Sequence, residues 1–255
     1  MTRFLAVLIA LTPVAAPAAE PEPLPLGLQS ARLLPGWTAE DGSRIAALEL
    51  VLEPGWKTYW RSPGDSGLPP SFAWEGSRNL GEVTFHWPAP EAIQSGGVAE
   101  LGYHDRLVLP FTALPADPGK PIALSMQADL GLCENICVPA HLDLTAPGAT
   151  ATRDARILNA LAAAPEPLAD QPACRIEEIA DGLRITVALP RPAELAALEV
   201  TSRDDLWISG AQIAGAEASA ELVGPEAAPF PLDPGHLRLT AIGAGGAVET
   251  TGCRL

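Results

Sequence analysis

Lysine is almost missing from this sequence. Only Lys57 and Lys120 stand among 16 basic residues, which face 31 acidic ones for a net charge of −15. Nowhere do Lys and Arg cluster, and neutralising phosphate needs such clusters, so nucleic-acid binding and docking on anionic lipid are excluded. The acidic balance reads as solubility. The preference for Arg over Lys, with an excess of Ala and Pro, reflects genome base composition. After the first twenty residues no apolar run approaches the ~18 residues that suggest a membrane span. No internal repeat stands out. No Cys-x-x-Cys opens a helix, which excludes a thioredoxin-type site. Aromatics make up 5% of the chain, yet four of the six Trp fall between Trp56 and Trp87.

What is present is proline and glycine, 27 and 23 residues in a chain of 255. That abundance favours short strands and many turns over long helices. Residues 1–19 read as a secretory signal: Arg3 supplies the charged start, Phe4 to Leu11 the apolar run, and Ala16-Pro17-Ala18 a small-x-small cleavage site. Export implies an oxidising compartment in which the four cysteines form disulfides. From Ser30 onward the pattern is strand-like. Arg44 to Leu52, Val83 to Trp87, Tyr103 to Phe111, Ile122 to Leu130 and Val138 to Leu144 are expected strands, separated by Pro/Gly turns. Pro110 is expected at an edge or strand end. Residues 91–102 read as irregular. On Trp56 to Arg61, Trp56, Thr58 and Trp60 share one face, with Lys57, Tyr59 and Arg61 on the other.

This spacing predicts a mainly β protein. An antiparallel sandwich is expected over residues 20–148, a linking helix over 149–165 and a second, smaller β-rich domain over 166–255. The helix is read over Thr152 to Ala164, starting at a Thr, stopping at Pro165 and lying at the domain junction. In the second domain, Asp181-Gly182 and Gly243 to Gly246 mark hairpins. Cys174 opens that domain and Cys253 nearly closes it, so pairing the first strand with the last is the economical structural disulfide.

Cys133 and Cys137 stand only four apart, within ADLGLCENICVPAHLDL. A bridge there closes a very small loop and stabilises little, which leaves it open to exchange. A plain hairpin staple is the equal alternative on spacing alone. A copper or zinc site using Cys133, Cys137 and His141 is weighed as well, but Pro139 breaks the helix that would align them. No metal or organic cofactor is expected. Asp129 and Glu134 lie nearby and no Lys or Arg falls between Pro121 and Thr152, so by sequence proximity the thiols lack a stabilising cation.

GWKTYWRSPGDSGLPPSFAW, GYHDRLVLPF and ADLGLCENICVPAHLDL, in this order and spacing, resemble the amino-terminal periplasmic domain of the thiol:disulfide interchange protein DsbD. They are most similar to its relatives linked to suppression of copper sensitivity. The resemblance spans Leu28 to Pro147 and implies an immunoglobulin-like sandwich with Cys133 and Cys137 as the redox pair. Ile136, Val138 and Pro139 fall in the implied docking surface. Gln94 to Tyr103 is the implied cap loop, with Tyr103 the one nearby aromatic. The implied partners are periplasmic thioredoxin-fold proteins and a separate membrane-embedded electron donor. The sequence departs from the best-known members in having three rather than five residues between the cysteines. It also lacks their cap-loop aromatic, transmembrane carrier and thioredoxin-like end. The expected activity is thiol–disulfide exchange. The alternatives are a non-catalytic interaction module with structural disulfides and a copper-handling protein using the same cysteines.

Overall fold

The structure is a computed structural model describing residues 23–255 apart from Ser66, Gly96 and Gly97, without the side chains of 94–99. The expected signal segment, 1–19, lies outside the described residues. The first half of the chain builds ten strands. They are β1 (Leu28–Thr38), β2 (Arg44–Leu52), β3 (Lys57–Tyr59), β4 (Ser71–Ala73), β5 (Leu80–Phe85), β6 (Glu91–Ser95), β7 (Val98–His104), β8 (Arg106–Pro115), β9 (Ser125–Cys133) and β10 (Cys137–Thr145). One sheet has the order β1-β2-β8-β5, the other β10-β9-β3-β7-β6, with β4 added to β9. Both are antiparallel.

Their inner faces share one core, as alternation demands of two stacked sheets. Leu48 and Leu50 of β2 and Leu109 and Phe111 of β8 come from one side, and Met126, Ala128, Leu130 and Leu132 of β9 from the other. The crowded tryptophans belong here: Trp56, Trp60 and Trp87 are buried in this core, and Trp74 packs against it. Phe72, Trp74, Phe85 and Phe111 form a chain of tilted and edge-on rings with centroids 4.6 to 6.2 Å apart. The fold class is thus a β-rich, immunoglobulin-like sandwich.

Three local expectations change. The run Tyr103 to Phe111 is two strands, because Asp105 takes a left-handed φ of 56° and turns the chain between β7 and β8. Pro110 lies inside β8 rather than at an edge. It pairs with Ala47, and its carbonyl accepts from His86 N (2.8 Å), so its missing N–H faces the point where β5 ends. Residues 91–102, read as irregular, form the β6–β7 hairpin, paired from Glu91↔Gly102 to Ser95↔Val98.

The helix, α1 (Ala155–Ala162), starts later than Thr152, because Asp154 is its N-cap and accepts from Arg156 N at 2.9 Å. Nor does it sit at the junction alone. Ile157 packs with Leu34, Trp37 and Ala47 on the outer side of the β1-β2-β8 sheet. Glu49, fully buried on the same side, accepts from Arg32 (2.6 Å) and Arg156 (3.1 Å), tying helix to sheet.

The remaining chain builds β11 (Glu166–Pro167), β12 (Cys174–Ile179), β13 (Gly182–Ala188), β14 (Leu195–Val200), β15 (Trp207–Ile208), β16 (Gln212–Ala214), β17 (Glu217–Val223), β18 (Leu237–Gly243) and β19 (Gly246–Thr251). They form sheets β11-β19-β18-β14 and β12-β13-β17-β15, the latter with β16 on β17, around a second core. The hairpins expected at Asp181-Gly182 and Gly243 to Gly246 are present as β12–β13 and β18–β19. Cys174 and Cys253 are bonded, both buried in this core. The two halves meet through Ala197, which joins the first core, and through Arg61. The Arg61 guanidinium donates to both Glu199 oxygens (2.9 Å each), contacts Glu249 and covers the Trp60 ring at 4.3 Å. Asp65 adds a carboxylate that accepts from Gly210 N at 2.6 Å.

The long loop closed by Cys174–Cys253, 79 residues apart, leads to a prediction. The double variant Cys174→Ser/Cys253→Ser should lose about 4 kcal/mol of unfolding free energy on the chain-entropy model. Urea titration against the wild type measures it. A loss below about 1 kcal/mol would show that the bridge restrains the unfolded chain far less than that model requires.

Candidate functional site

The site is built on the outer face of the β10-β9-β3-β7-β6 sheet. Along β9 the inward residues are Ala128, Leu130 and Leu132, so Asp129, Gly131 and Cys133 point outward. Cys133 ends β9 and Cys137 begins β10, and the two are direct cross-strand partners. They are disulfide-bonded with Cα atoms 4.1 Å apart. The three-residue turn between them is closed by Glu134 N donating to Ile136 O at 3.1 Å. The two sulfurs differ in access: Cys133 is 1% exposed, whereas Cys137 lies at the surface. Beside Cys137, Ile136 stands 64% exposed, Pro139 is exposed and Val138 half-buried.

The third component is β3, only three residues long and wedged between β9 and β7. Thr58 faces inward with the tryptophans, and its hydroxyl donates to Gly131 O at 3.1 Å. Lys57 and Tyr59 face outward, as alternation predicts. Lys57 is the register partner of Cys133 on one side and of His104 on the other. The cation that sequence proximity failed to supply therefore arrives from a different strand. Lys57 Nζ is 2.5 Å from Glu100 Oε2, with both side chains almost wholly buried.

Tyr59 is the functional candidate that the sequence reading missed. Its hydroxyl lies 3.1 Å from Cys133 Sγ and 3.4 Å from Cys137 Sγ, and the residue is 1% exposed. Burial, then the charge of Glu100 and a hydrogen bond with it, push its pKa up to about 12, so it stays a neutral hydroxyl. The segment after β3 folds back over it. A Cβ on Gly131 would sit 3.0 Å from the Tyr59 ring and 2.8 Å from Leu68 Cβ, and one on Gly67 would meet Pro63 at 2.3 Å and the ring at 3.0 Å. Only glycines leave room for the ring here. The available signal was the alternation itself, which placed Tyr59 and Lys57 together on a face with no stated purpose.

Tyr103, expected near the pair as a cap aromatic, is not at the sulfurs. It is buried and donates to Pro88 O at 2.8 Å, and burial raises its pKa. In the rest of the expected cap, Gly96 and Gly97 lie outside the described residues, as do the side chains of 94–99. His141 is exposed and pairs with Asp129 (2.7 Å) and Asp143 (3.5 Å). Among the described residues no three His, Cys, Asp or Glu side chains gather as a metal-binding group.

Residues 30–148 match the family model described as thiol:disulfide interchange protein DsbD, N-terminal. Over these residues the chain is similar to that family's domain. Among solved structures, the crystal structure of the N-terminal periplasmic domain of ScsB from Proteus mirabilis is similar, with a TM-score of 0.63 at 21% identity. The match covers 86% of this chain and 90% of that one, so the likeness of fold extends beyond residues 30–148 into the second half. No curated protein sequence matches the chain. No helix among the described residues is long and apolar enough to cross a membrane.

The His141–Asp129 pair on this domain titrates in a defined direction. Its hydrogen bond to Asp129 raises the imidazole pKa above the ordinary 6.5. The interaction is complete below that ordinary value and is lost as pH rises through the raised one. Asp129→Asn should move the His141 titration, followed by ring-proton NMR, back toward lower pH. An unmoved midpoint would show that Asp129 does not hold the charge.

Proposed function

We propose that this protein is an exported thiol–disulfide exchange protein working through Cys133 and Cys137 on periplasmic partner proteins. The observation that carries this reading is the asymmetry of the pair: one sulfur exposed beside apolar residues, the other buried under a tyrosine hydroxyl. A purely structural staple needs neither feature. The match of residues 30–148 to the DsbD N-terminal family and the fold likeness to a periplasmic domain support the same reading.

The mechanism follows from access. A partner thiolate must approach along the S–S axis, and of the two residues only Cys137 is exposed. Attack there forms a mixed disulfide at Cys137, and the bonding pair leaves to Cys133 Sγ. A second partner thiol then releases Cys137, leaving the dithiol here and a disulfide on the partner. In the reverse direction the Cys137 thiolate attacks a client disulfide, and Cys133 resolves the mixed species. Ile136 and Pro139 supply the apolar contact that a thioredoxin-fold partner covers when it docks, whereas Val138, expected there too, packs inward against the core. Electrons come from a separate membrane-embedded donor.

Equilibration against a glutathione series, with alkylation and peptide mapping, tests this reading. The Cys133–Cys137 pair should reduce in the range of periplasmic exchange proteins while Cys174–Cys253 stays closed. Cys133→Ser should then trap a stable mixed disulfide through Cys137, and Cys137→Ser should trap none. Equal resistance of both bridges would make the protein a binding module instead.

A further inference from the structure

We propose that the buried Lys57–Glu100 ion pair, coupled to the sulfurs through Tyr59, sets the charge that the buried sulfur of Cys133 can carry and thereby poises the redox pair. This rests on the exchange reading and assigns roles to three residues within it.

The placement is the first argument. Cys137, Cys133, Lys57 and His104 form one row across the sheet, each the register partner of the next. Such partners lie on one face, with Cβ atoms ~5 Å apart. The Lys57 ammonium is 5.8 Å from the Tyr59 ring centre and bonded to Glu100. Tyr59 in turn hydrogen-bonds with Glu100 and reaches both sulfurs with its hydroxyl. Sulfur, hydroxyl, carboxylate and ammonium thus make a continuous polar series in a place closed to water.

The cost of that series is the second argument. Burying two charges consumes most or all of what their attraction returns, so a buried ion pair is weak evidence for a purely stabilising role. Beside a redox disulfide it has a task. When S–S breaks at Cys137, the electron pair and the negative charge arrive on Cys133 Sγ, which is 1% exposed. Water cannot solvate that thiolate. The single Tyr59 O–H can donate to it only by turning from Glu100, Lys57 attracts it, and Glu100 both opposes it and competes for that hydrogen. The balance between the last two decides how stable the thiolate is, hence the thiol pKa and the reduction equilibrium.

Other charges near the row are weaker contributors. Glu134 in the turn is exposed, and His104 is half-buried and held by exposed Glu91. Asp129 lies two residues along β9 and is committed to His141 in solvent. Asp65, on the covering segment, accepts from Gly210 N. Solvent screens exposed groups far more than buried ones.

The test relies on sign. Glu100→Gln removes the opposing charge while preserving shape, so the Cys133 thiol should become more acidic and the glutathione equilibrium should shift several-fold toward the dithiol. Lys57→Met removes the attraction, and the equilibrium should shift several-fold toward the disulfide. A tenfold shift corresponds to about 30 mV for this two-electron couple. The pH at which the potential–pH slope breaks should move down in the first variant and up in the second. The neutral pair Lys57→Met/Glu100→Gln guards against misfolding from a lone buried charge and should lie between them. In a Tyr59→Phe background the effect of Glu100→Gln should shrink. Variants that remain folded, with Cys174–Cys253 closed, and show shifts of one sign or none would overturn the proposal. If the wild-type pair itself resists reduction, the exchange reading fails instead, so the two failures are distinguishable.

Discussion

The site depends on a three-residue strand that is buried on both faces. An ordinary strand of an antiparallel sandwich has one wet face, and its outward residues are free to be polar. In β3 the inward face supplies Thr58 and is flanked by Trp56 and Trp60, while on the outward face Gly67 closes on the Tyr59 ring and Lys57 is buried against Glu100. Burial on the second face keeps the tyrosine hydroxyl on the sulfurs and desolvates the lysine beside Cys133. Were the chain around Gly67 displaced, the Tyr59 ring would lose its cover and its hydroxyl would exchange with water.

The covering segment is fixed at both ends, and the second half of the chain provides part of that fixation. Pro63 O accepts from Leu101 N at 2.9 Å within the first sandwich. Arg61 and Asp65 reach across to Glu199, Glu249 and Gly210. An Arg fork on two carboxylates, shielded by a tryptophan ring, is a geometrically demanding contact. It joins the two halves at the loop that seats Tyr59, so rigidity at the junction is rigidity at the site. Leu195 and Ala197 extend the first core across the same junction with apolar contacts.

Much of this was legible in the sequence where the governing physics is local. Strict alternation placed Arg44 to Leu52 within its strand and sorted Trp56, Thr58 and Trp60 from Lys57 and Tyr59. Asp-Gly and Gly-rich turns located both hairpins of the second half. The failures come where the deciding contact is distant. Asp154 caps α1, yet Thr152 offers an equally good capping side chain. What selects the register is Ile157 falling onto Leu34 and Trp37, contacts over a hundred residues away in sequence. Residues 91–102 carry too little alternation to announce a hairpin, and β3 pairing makes β7 a strand. The largest miss was electrostatic. Sequence distance put Asp129 and Glu134 near the thiols and no cation, whereas sheet register set Lys57 opposite Cys133 across 76 positions.

The chain carries two disulfides, and their contrast shows why only one is suited to exchange. Cys174 and Cys253 join the start and end of the second half, and both are sealed in its core. Opening that bond releases a long loop and exposes apolar surface, so reduction is coupled to unfolding. Cys133 and Cys137 already face each other as strand partners, held by ladder pairs from Val138↔Leu132 to Thr145↔Ser125. Opening that bond frees almost no chain entropy, because the hairpin persists without it. Reduction therefore need not disturb the fold, and the free energy of the couple is governed by what surrounds the sulfurs. In such a pair the neighbours of the buried sulfur, rather than the stability of the sandwich, set the reduction equilibrium.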